Sequence, residues 1–257
     1  MTVAVAVLNL ILGAVYTQYG TMTIIEMKRG WRRFGYSHFG AAWVAMAFTC
    51  GPHHIVHGVH GLFEGRHGGA IDLLAVVIGL PFGVAWFLLR VEAFRGGSGD
   101  RFIAGTPSWV AALPFLSAVY LVVIVAAAGQ AGPFHLSHAW VVVPNVLLVG
   151  IYCTIGYYLG RTQLANRRPL GGWSVSGLSL AFIFPTCAAM HAVFGLYTMT
   201  GRYGFDIHGF SIDWLAVPAG LYFLWVVQSL YRNQLHDWND NTPVATRAPA
   251  AKIPAPV

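Results

Sequence analysis

Long runs of apolar residues, each about the length of a bilayer-spanning helix, constrain this chain more than any other feature. A helix needs roughly 20 such residues to cross the hydrocarbon core of a membrane. We predict seven spans, over residues 2–25, 39–62, 70–89, 109–129, 138–159, 175–199 and 212–231. Because only 9% of the residues are charged and 56% are hydrophobic, an ordinary soluble domain is excluded. The sequence therefore predicts an all-α integral membrane protein with seven transmembrane helices.

The 15 Lys and Arg residues are sorted unevenly between the two sides that these spans define. Those after odd-numbered spans are Lys28, Arg29, Arg32, Arg33, Arg90, Arg95, Arg101, Arg161, Arg167, Arg168, Arg232, Arg247 and Lys252. Only Arg66 and Arg202 follow even-numbered spans. Since cytoplasmic loops carry an excess of Lys and Arg, we predict a multi-pass cell-membrane protein with its N-terminus outside and its C-terminus cytoplasmic. This sorting also explains the net charge of +6 without a nucleic-acid partner.

Two parts of the chain resemble each other closely enough to predict an internal repeat. Segment 71–82, IDLLAVVIGLPF, is identical to segment 212–223, IDWLAVPAGLYF, at eight of twelve positions. Weaker matches pair Gly13 with Gly150 and Tyr16 with Tyr152. Spans one to three and five to seven share an orientation, which predicts a 3+1+3 parallel repeat. The predicted membrane domain, 1–232, comprises repeat A (1–95), a linking helix (107–130) and repeat B (138–232); a disordered cytoplasmic tail, 233–257, follows.

Histidines are concentrated near the predicted outer face, above all in the second span. His53, His57, His60 and Glu64 follow one another at intervals of four, three and four residues, which places them on one stripe of a helix. Imidazoles one turn apart can share a metal ion. Ionisable side chains within a membrane usually face a cavity or a partner. The stripe therefore predicts a metal site at the outer end of the second span.

A second pattern pairs cysteine with histidine once in each repeat. Cys50 and His54 are four residues apart, as are Cys187 and His191. If these pairs face each other, they offer two thiolates and two imidazoles, a set that suits zinc or copper. The alternative is that both cysteines are small packing residues between helices.

Two aspartates and a further histidine pair complete the candidate ligands. Asp72 and Asp213 lie near the predicted starts of spans three and seven. Each could bind a metal, orient a ligating histidine, or cap its helix. His135 and His138 form an HxxH pair whose spacing suits chelation if the segment is helical. The full set of predicted metal ligands is His53, His54, His57, His60, His135, His138, His191, Asp72, Asp213, Cys50 and Cys187.

These ligands favour a redox-active copper or iron centre, because there are more histidines than the three or four that one ion needs. Such a centre would act on a lipophilic substrate or transfer electrons, supplied by a partner subunit. A zinc-dependent hydrolase, with Glu64 or Asp72 as general base, is an alternative. A metal sensor or transporter is another. A fourth reading is a b-type haem with His54 and His191 as axial ligands and Arg66 and Arg202 at the propionates.

One short segment resembles a known family. Ala188-Ala189-Met190-His191 resembles the Met-His core of the MHYT family of bacterial sensory membrane domains, which implies copper bound at the outer face. Ala192-Val193 follows where that family has Tyr-Thr. The seven spans are also similar in outline to zinc hydrolases of the ceramidase and progestin-receptor group, but span seven lacks their HxxxH pair. We assign the chain to neither family.

Overall fold

The computed structural model describes residues 1–65, 69–130 and 132–238, and its main elements are seven α-helices. These are α1 (Thr2–Phe34), α2 (His38–Glu64), α3 (Ala70–Phe94), α4 (Ser108–Gly129), α5 (Ala139–Asn166), α6 (Val175–Met199) and α7 (Ile207–Tyr231). A short 3-10 helix, Leu136–His138, precedes α5. Two strands that the sequence did not predict, β1 (Phe102–Ala104) and β2 (Gly172–Ser174), pair antiparallel.

Within the described ranges, six helices are long and apolar enough to cross a bilayer. This is the architecture of a multi-pass membrane protein, and the predicted fold class is confirmed in that coarser form. The helix outside this set is α2, which has 27 residues and is therefore long enough. Its histidines lower the mean hydropathy of its most apolar stretch, so the helix with the most candidate ligands is the one that falls outside this set.

The first helix is longer than the predicted span. It continues to Phe34, so the basic residues Lys28 to Arg33 lie on its last turns rather than in a loop. A helix of 33 residues is about 50 Å long, well beyond the ~30 Å hydrocarbon core. Gly35, with a φ of 73°, ends it. The basic segment is therefore a helical extension that projects past the membrane thickness.

The last helix begins earlier than predicted, at Ile207 rather than Ile212. Asp206 is its N-cap, because its carboxylate accepts hydrogen bonds from the backbone N–H groups of His208 (3.0 Å) and Gly209 (3.2 Å). Asp213 consequently lies in the second turn and not at the helix start. By contrast, Asp72 does lie in the first turn of α3, where its Oδ2 accepts from the N–H of Gly69 at 2.8 Å. Of the three roles considered for the two aspartates, capping fits Asp72 and does not fit Asp213.

Contacts between helices divide most of them into two groups that meet along two helix pairs. α1 contacts α2 and α3, α5 contacts α6 and α7, and the two groups meet where α2 packs on α7 and α3 on α6. α6 is the most buried of the candidate spans and α4 the least, since α4 lies at the edge against α6 and α3. We call the end at which α2 and α6 finish and α3 and α7 begin the site end.

The start of the predicted tail is ordered against the α1–α2 turn. Asp237 accepts hydrogen bonds from the Ser37 hydroxyl at 2.6 Å and the Phe39 N–H at 2.9 Å. The indole N–H of Trp238 donates to the Phe34 carbonyl at 2.9 Å. Packing therefore extends at least to Trp238, and the rest of the predicted disordered tail, 239–257, lies outside the described residues.

Candidate metal centre

Three side chains from three helices converge at the site end: His53 of α2, His191 of α6 and Asp213 of α7. Each offers a ligand atom, and these atoms lie within 4.8 Å of one another. His53 Nδ1 is 2.8 Å from Asp213 Oδ1, and His191 Nδ1 is 3.7 Å from the same oxygen. The Asp213 side chain is 0% exposed. We call this group the buried centre.

The hydrogen bonding within this group is incomplete. His53 Nδ1 and Asp213 Oδ1 are both buried and form a close pair 2.8 Å apart, but their alignment is not that of a regular hydrogen bond. A buried polar atom left in this state is costly, so it usually marks an additional binding partner. Two ligands of one ion are roughly 3.0–3.4 Å apart when bound at ~2.1 Å with angles of about 90–110°. The 2.8 Å separation of His53 Nδ1 and Asp213 Oδ1 is slightly below this range and suits an ion after a small shift.

Asn145, on α5, orients two of these three side chains. Its Nδ2 donates to Asp213 Oδ2 at 2.9 Å, and its Oδ1 is 2.8 Å from His191 Nδ1. Because the first bond fixes which way the amide points, His191 must donate from Nδ1 and keep its lone pair on Nε2. A ligating histidine typically donates its other ring N–H in this manner. Asn145 was not among the residues predicted from the sequence, although a polar amide in an apolar helix is itself a functional signal.

A second asparagine–histidine pair lies between α1 and α2. Asn9 of α1 donates from Nδ2 to the Val5 carbonyl at 2.9 Å, which turns its Oδ1 toward His54 Nδ1 at 2.7 Å. His54 therefore also carries its lone pair on Nε2. It faces the Tyr16 ring at 5.6 Å, much as His191 faces Tyr152 at 5.5 Å. Here, however, the aspartate of α3 does not join the pair.

That aspartate, Asp72, is bound instead by Tyr203, whose hydroxyl donates to Asp72 Oδ1. Tyr203 lies in the α6–α7 connection. Burial and the nearby Asp72 charge raise the pKa of its phenol, so it remains a protonated donor. Both residues line the same cavity as the buried centre. Asp72 thus borders the candidate site without reaching the three converging ligands.

The cavity beside the buried centre has a volume of about 60 Å³. Its walls include His53, His54, His57 and His191 together with Cys50 and Cys187. This is room for a few water molecules, each of which needs about 10–15 Å³ by this measure. It is far below the roughly 300–1,000 Å³ of pockets that hold drug-sized ligands. The space therefore suits a bare ion with small ligands better than a porphyrin.

The predicted Cys–His pairs line the cavity, but each cysteine has a tyrosine partner from the other group of three helices, α1–α3 or α5–α7. Cys50 Sγ is 3.3 Å from the Tyr152 hydroxyl, and Cys187 forms a side-chain hydrogen bond with Tyr16. In the described part of the chain, neither cysteine belongs to a group whose ligand atoms could hold one ion. The two-thiolate, two-imidazole set therefore does not form as predicted.

The histidine stripe on α2 leads from the buried centre to the surface. His57 Nε2 is 2.6 Å from His53 Nε2, and their ring centroids are 4.3 Å apart. Farther along, His60 Nδ1 is 3.3 Å from Asp206 Oδ2, and His60 Nε2 is 3.9 Å from Glu64 Oε1. Glu64 is exposed and does not line the cavity. Its predicted role as general base at the same ion as His53 has no geometric support.

The remaining predicted residues lie apart from the buried centre. His135 and His138 have ring centroids 5.8 Å apart, but His138 Nδ1 faces the Thr198 carbonyl at 3.1 Å. Neither belongs to a ligand group in the parts of the chain described. Arg202 lies over the Tyr197 ring at 4.6 Å, and Arg66 is outside the described residues.

Comparison with known protein families, with curated proteins and with solved structures found no match.

Proposed function

We propose that this protein is a redox-active membrane metalloprotein whose buried centre binds one iron or copper ion. The observation that carries the proposal is the convergence of His53, His191 and Asp213, in which two buried ligand atoms meet at 2.8 Å without the alignment of a regular hydrogen bond. Two imidazoles and one carboxylate with open positions form the ligand set typical of non-haem Fe(II) centres. The adjoining cavity provides space for a small molecule at such a position.

Asn145 supports this assignment because it serves both His191 and Asp213. Its bond to Asp213 Oδ2 leaves Oδ1 for the ion, and its bond to His191 fixes the ring tautomer. Partners of this kind raise ligand basicity and hold the ring in place. His54 has its lone pair on Nε2 and its ring on the cavity wall, but it belongs to neither ligand group within the described residues.

Zinc is the second candidate, since two histidines and a carboxylate also form catalytic zinc sites. The specific observation in its favour is Asp72, a carboxylate across the same cavity that could accept a proton from a bound water. Against this, Asp72 is already engaged by Tyr203 and Gly69.

We also propose that the seven helices all span the cell membrane as a 3+1+3 repeat, with the site end outside. Support comes from the matching contacts of α1 with α2 and α3 and of α5 with α6 and α7, and from the charge distribution. A partner in the membrane then supplies the electrons.

The proposal is tested by metal analysis of the protein purified in detergent. We expect one iron or copper ion per chain, and a loss of affinity of at least about tenfold in Asp213→Asn and His191→Ala. Asp213→Asn nearly preserves side-chain volume, so it separates ligation from folding. His138→Ala is the matched control, because this half-buried histidine at the same end belongs to neither ligand group within the described ranges.

Three results would count against it. A Soret band would select haem, and one zinc without iron or copper would select hydrolytic chemistry. Metal contents unchanged in Asp213→Asn and His191→Ala would place any bound ion elsewhere.

A further inference from the structure

A second group of ligand atoms lies at the rim of the site end. His60, from α2, and Asp206 and His208, from the start of α7, offer ligand atoms within 4.8 Å of one another. Asp206 Oδ2 is 3.3 Å from His60 Nδ1, and Asp206 Oδ1 is 3.6 Å from His208 Nδ1. The His208 side chain is 70% exposed, whereas that of Asp206 is 5% exposed. We call these three residues the rim site.

The backbone of α7 holds the Asp206 carboxylate in place. Each of its oxygens accepts one N–H at the helix start, from His208 or Gly209. A carboxylate oxygen has a second lone pair, so both oxygens remain able to bind a cation. The two imidazoles lie on either side, with ring centroids 6.0 Å apart. The result is a preformed set of nitrogen and oxygen ligands from two helices, open to water on the His208 side.

The rim site and the buried centre are connected by consecutive histidines on one helix face. His60, His57 and His53 are separated by three and four residues, so neighbours along the stripe are about 5–6 Å apart at Cβ. His57 is already in contact with His53 through their Nε2 atoms. Nitrogen ligands thus continue from the exposed edge of α2 to the cavity wall.

We propose that the rim site captures a divalent transition-metal ion from water and passes it through His57 to the buried centre. This inference rests on the proposed function, because the buried centre is the destination. Moving a hydrated dication directly into a buried site is costly, since the charge loses its water at once. Ligands spaced one turn apart replace the water stepwise, so the ion is never without partners.

The test uses Co²⁺ as the probe, with metal-stripped full-length protein in detergent. We expect the wild type to bind two Co²⁺ ions per chain, one at each ligand group. A chelator should remove the ion at the exposed rim site quickly and the ion at the buried centre slowly. His208→Ala should lose the quickly removed ion and fill the buried centre at least about tenfold more slowly, with the same final occupancy there.

A second variant and a control guard against indirect effects. Asp206→Asn removes a charged ligand but keeps a good N-cap, so α7 should still begin at Ile207. Like His208→Ala, it should lose the quickly removed ion and fill the buried centre more slowly. His135→Ala, which alters an exposed histidine at the same end, should bind and load Co²⁺ like the wild type.

The outcomes separate the two proposals. If His208→Ala and Asp206→Asn keep both ions and load at the wild-type rate, the rim site is overturned while loss of one ion in Asp213→Asn still supports the buried centre. If both lose the exposed ion but fill the buried centre normally, the transfer role is overturned. If the wild type binds a single ion that His208→Ala loses and Asp213→Asn keeps, the buried centre and the transfer role are both overturned.

Discussion

At Asn145 a single amide group holds two of the three proposed ligands. It donates to Asp213 and accepts from His191, so both groups depend on it for their orientation. The Asn9 amide serves only one histidine, His54, and spends its N–H on the helix backbone. The two asparagines lie on α1 and α5, each beside a histidine of the next helix that faces the cavity, but they have different further partners.

Asn145→Ala should weaken metal binding by roughly 10–100-fold, because the ligands remain but lose their orienting partner. Asn9→Ala should change the affinity much less, since His53, His191 and Asp213 do not contact it. Competition with a chelator of known affinity measures both. Equal losses in the two variants would contradict this ranking and make His54 a ligand of the same ion.

Tyr203 provides the second residue-level prediction. Removing its hydroxyl in Tyr203→Phe leaves the buried Asp72 Oδ1 without this donor, which should cost about 1–3 kcal/mol in the free energy of unfolding. Tyr157→Phe is the control, because Tyr157 is 56% exposed and such surface changes usually stay within about 0.5 kcal/mol. Thermal unfolding in detergent compares them, and equal midpoints would show that the Asp72 contact contributes little.

At the scale of the helix, the starting point of α7 decides which aspartate can reach the histidines. The sequence identified His53, His191 and Asp213 as ligands but treated Asp213 as equivalent to Asp72. The repeated Ile-Asp segment suggested that equivalence. The prediction from the sequence missed Asp206, whose capping bonds start α7 earlier and place Asp213 one turn inside the helix. A local match in sequence thus did not determine the helix boundary, because the preceding residues differ.

Helices α1 and α2 pack closely at Gly13, whereas the glycine matched with it on α5, Gly150, lies at no such contact. A Cβ on Gly13 would lie 2.6 Å from Ile55 Cγ1 and 2.9 Å from the Gly51 carbonyl oxygen. A Cβ on Gly150 would meet nothing within 4 Å. Gly13 and Gly150, matched in the sequence, therefore have unlike surroundings.

We accordingly expect Gly13→Ala to destabilise the protein by about 1–3 kcal/mol, since the clash involves backbone and the helices must separate. Gly150→Ala should be neutral or stabilising by up to about 1 kcal/mol, because alanine is the better helix former. Midpoints of thermal unfolding in detergent distinguish them. If Gly13→Ala were as stable as Gly150→Ala, close contact between α1 and α2 would not be needed.

For the whole molecule, the sequence predicted the helical membrane architecture more fully than the site. Apolar length determines where helices form, and this is readable along the chain. Which side chains meet across helices depends on rotation and packing, which periodicity does not specify. The Cys50 and Cys187 pairs illustrate this, because each sulfur meets a tyrosine of the other half and not its counterpart.

The orientation is a prediction at this scale. Green fluorescent protein fused after Trp238 should fluoresce in a bacterial host, because the positive-inside rule places that end in the cytoplasm. Alkaline phosphatase fused after Gln130, which follows α4, should be active because it would be exported. The reverse pattern would put the site end in the cytoplasm.

The dimensions of the cavity limit what could reach an ion at the buried centre. At about 60 Å³, only species such as water, dioxygen or a single small anion can touch an ion there. Any bulkier reductant or oxidant would have to exchange electrons by tunnelling through the surrounding side chains, which include Tyr16 and Tyr152 at ring-centroid distances of 5.6 and 5.5 Å from His54 and His191. Selectivity would then come from exclusion by size, and a physiological redox partner would need no pocket of its own.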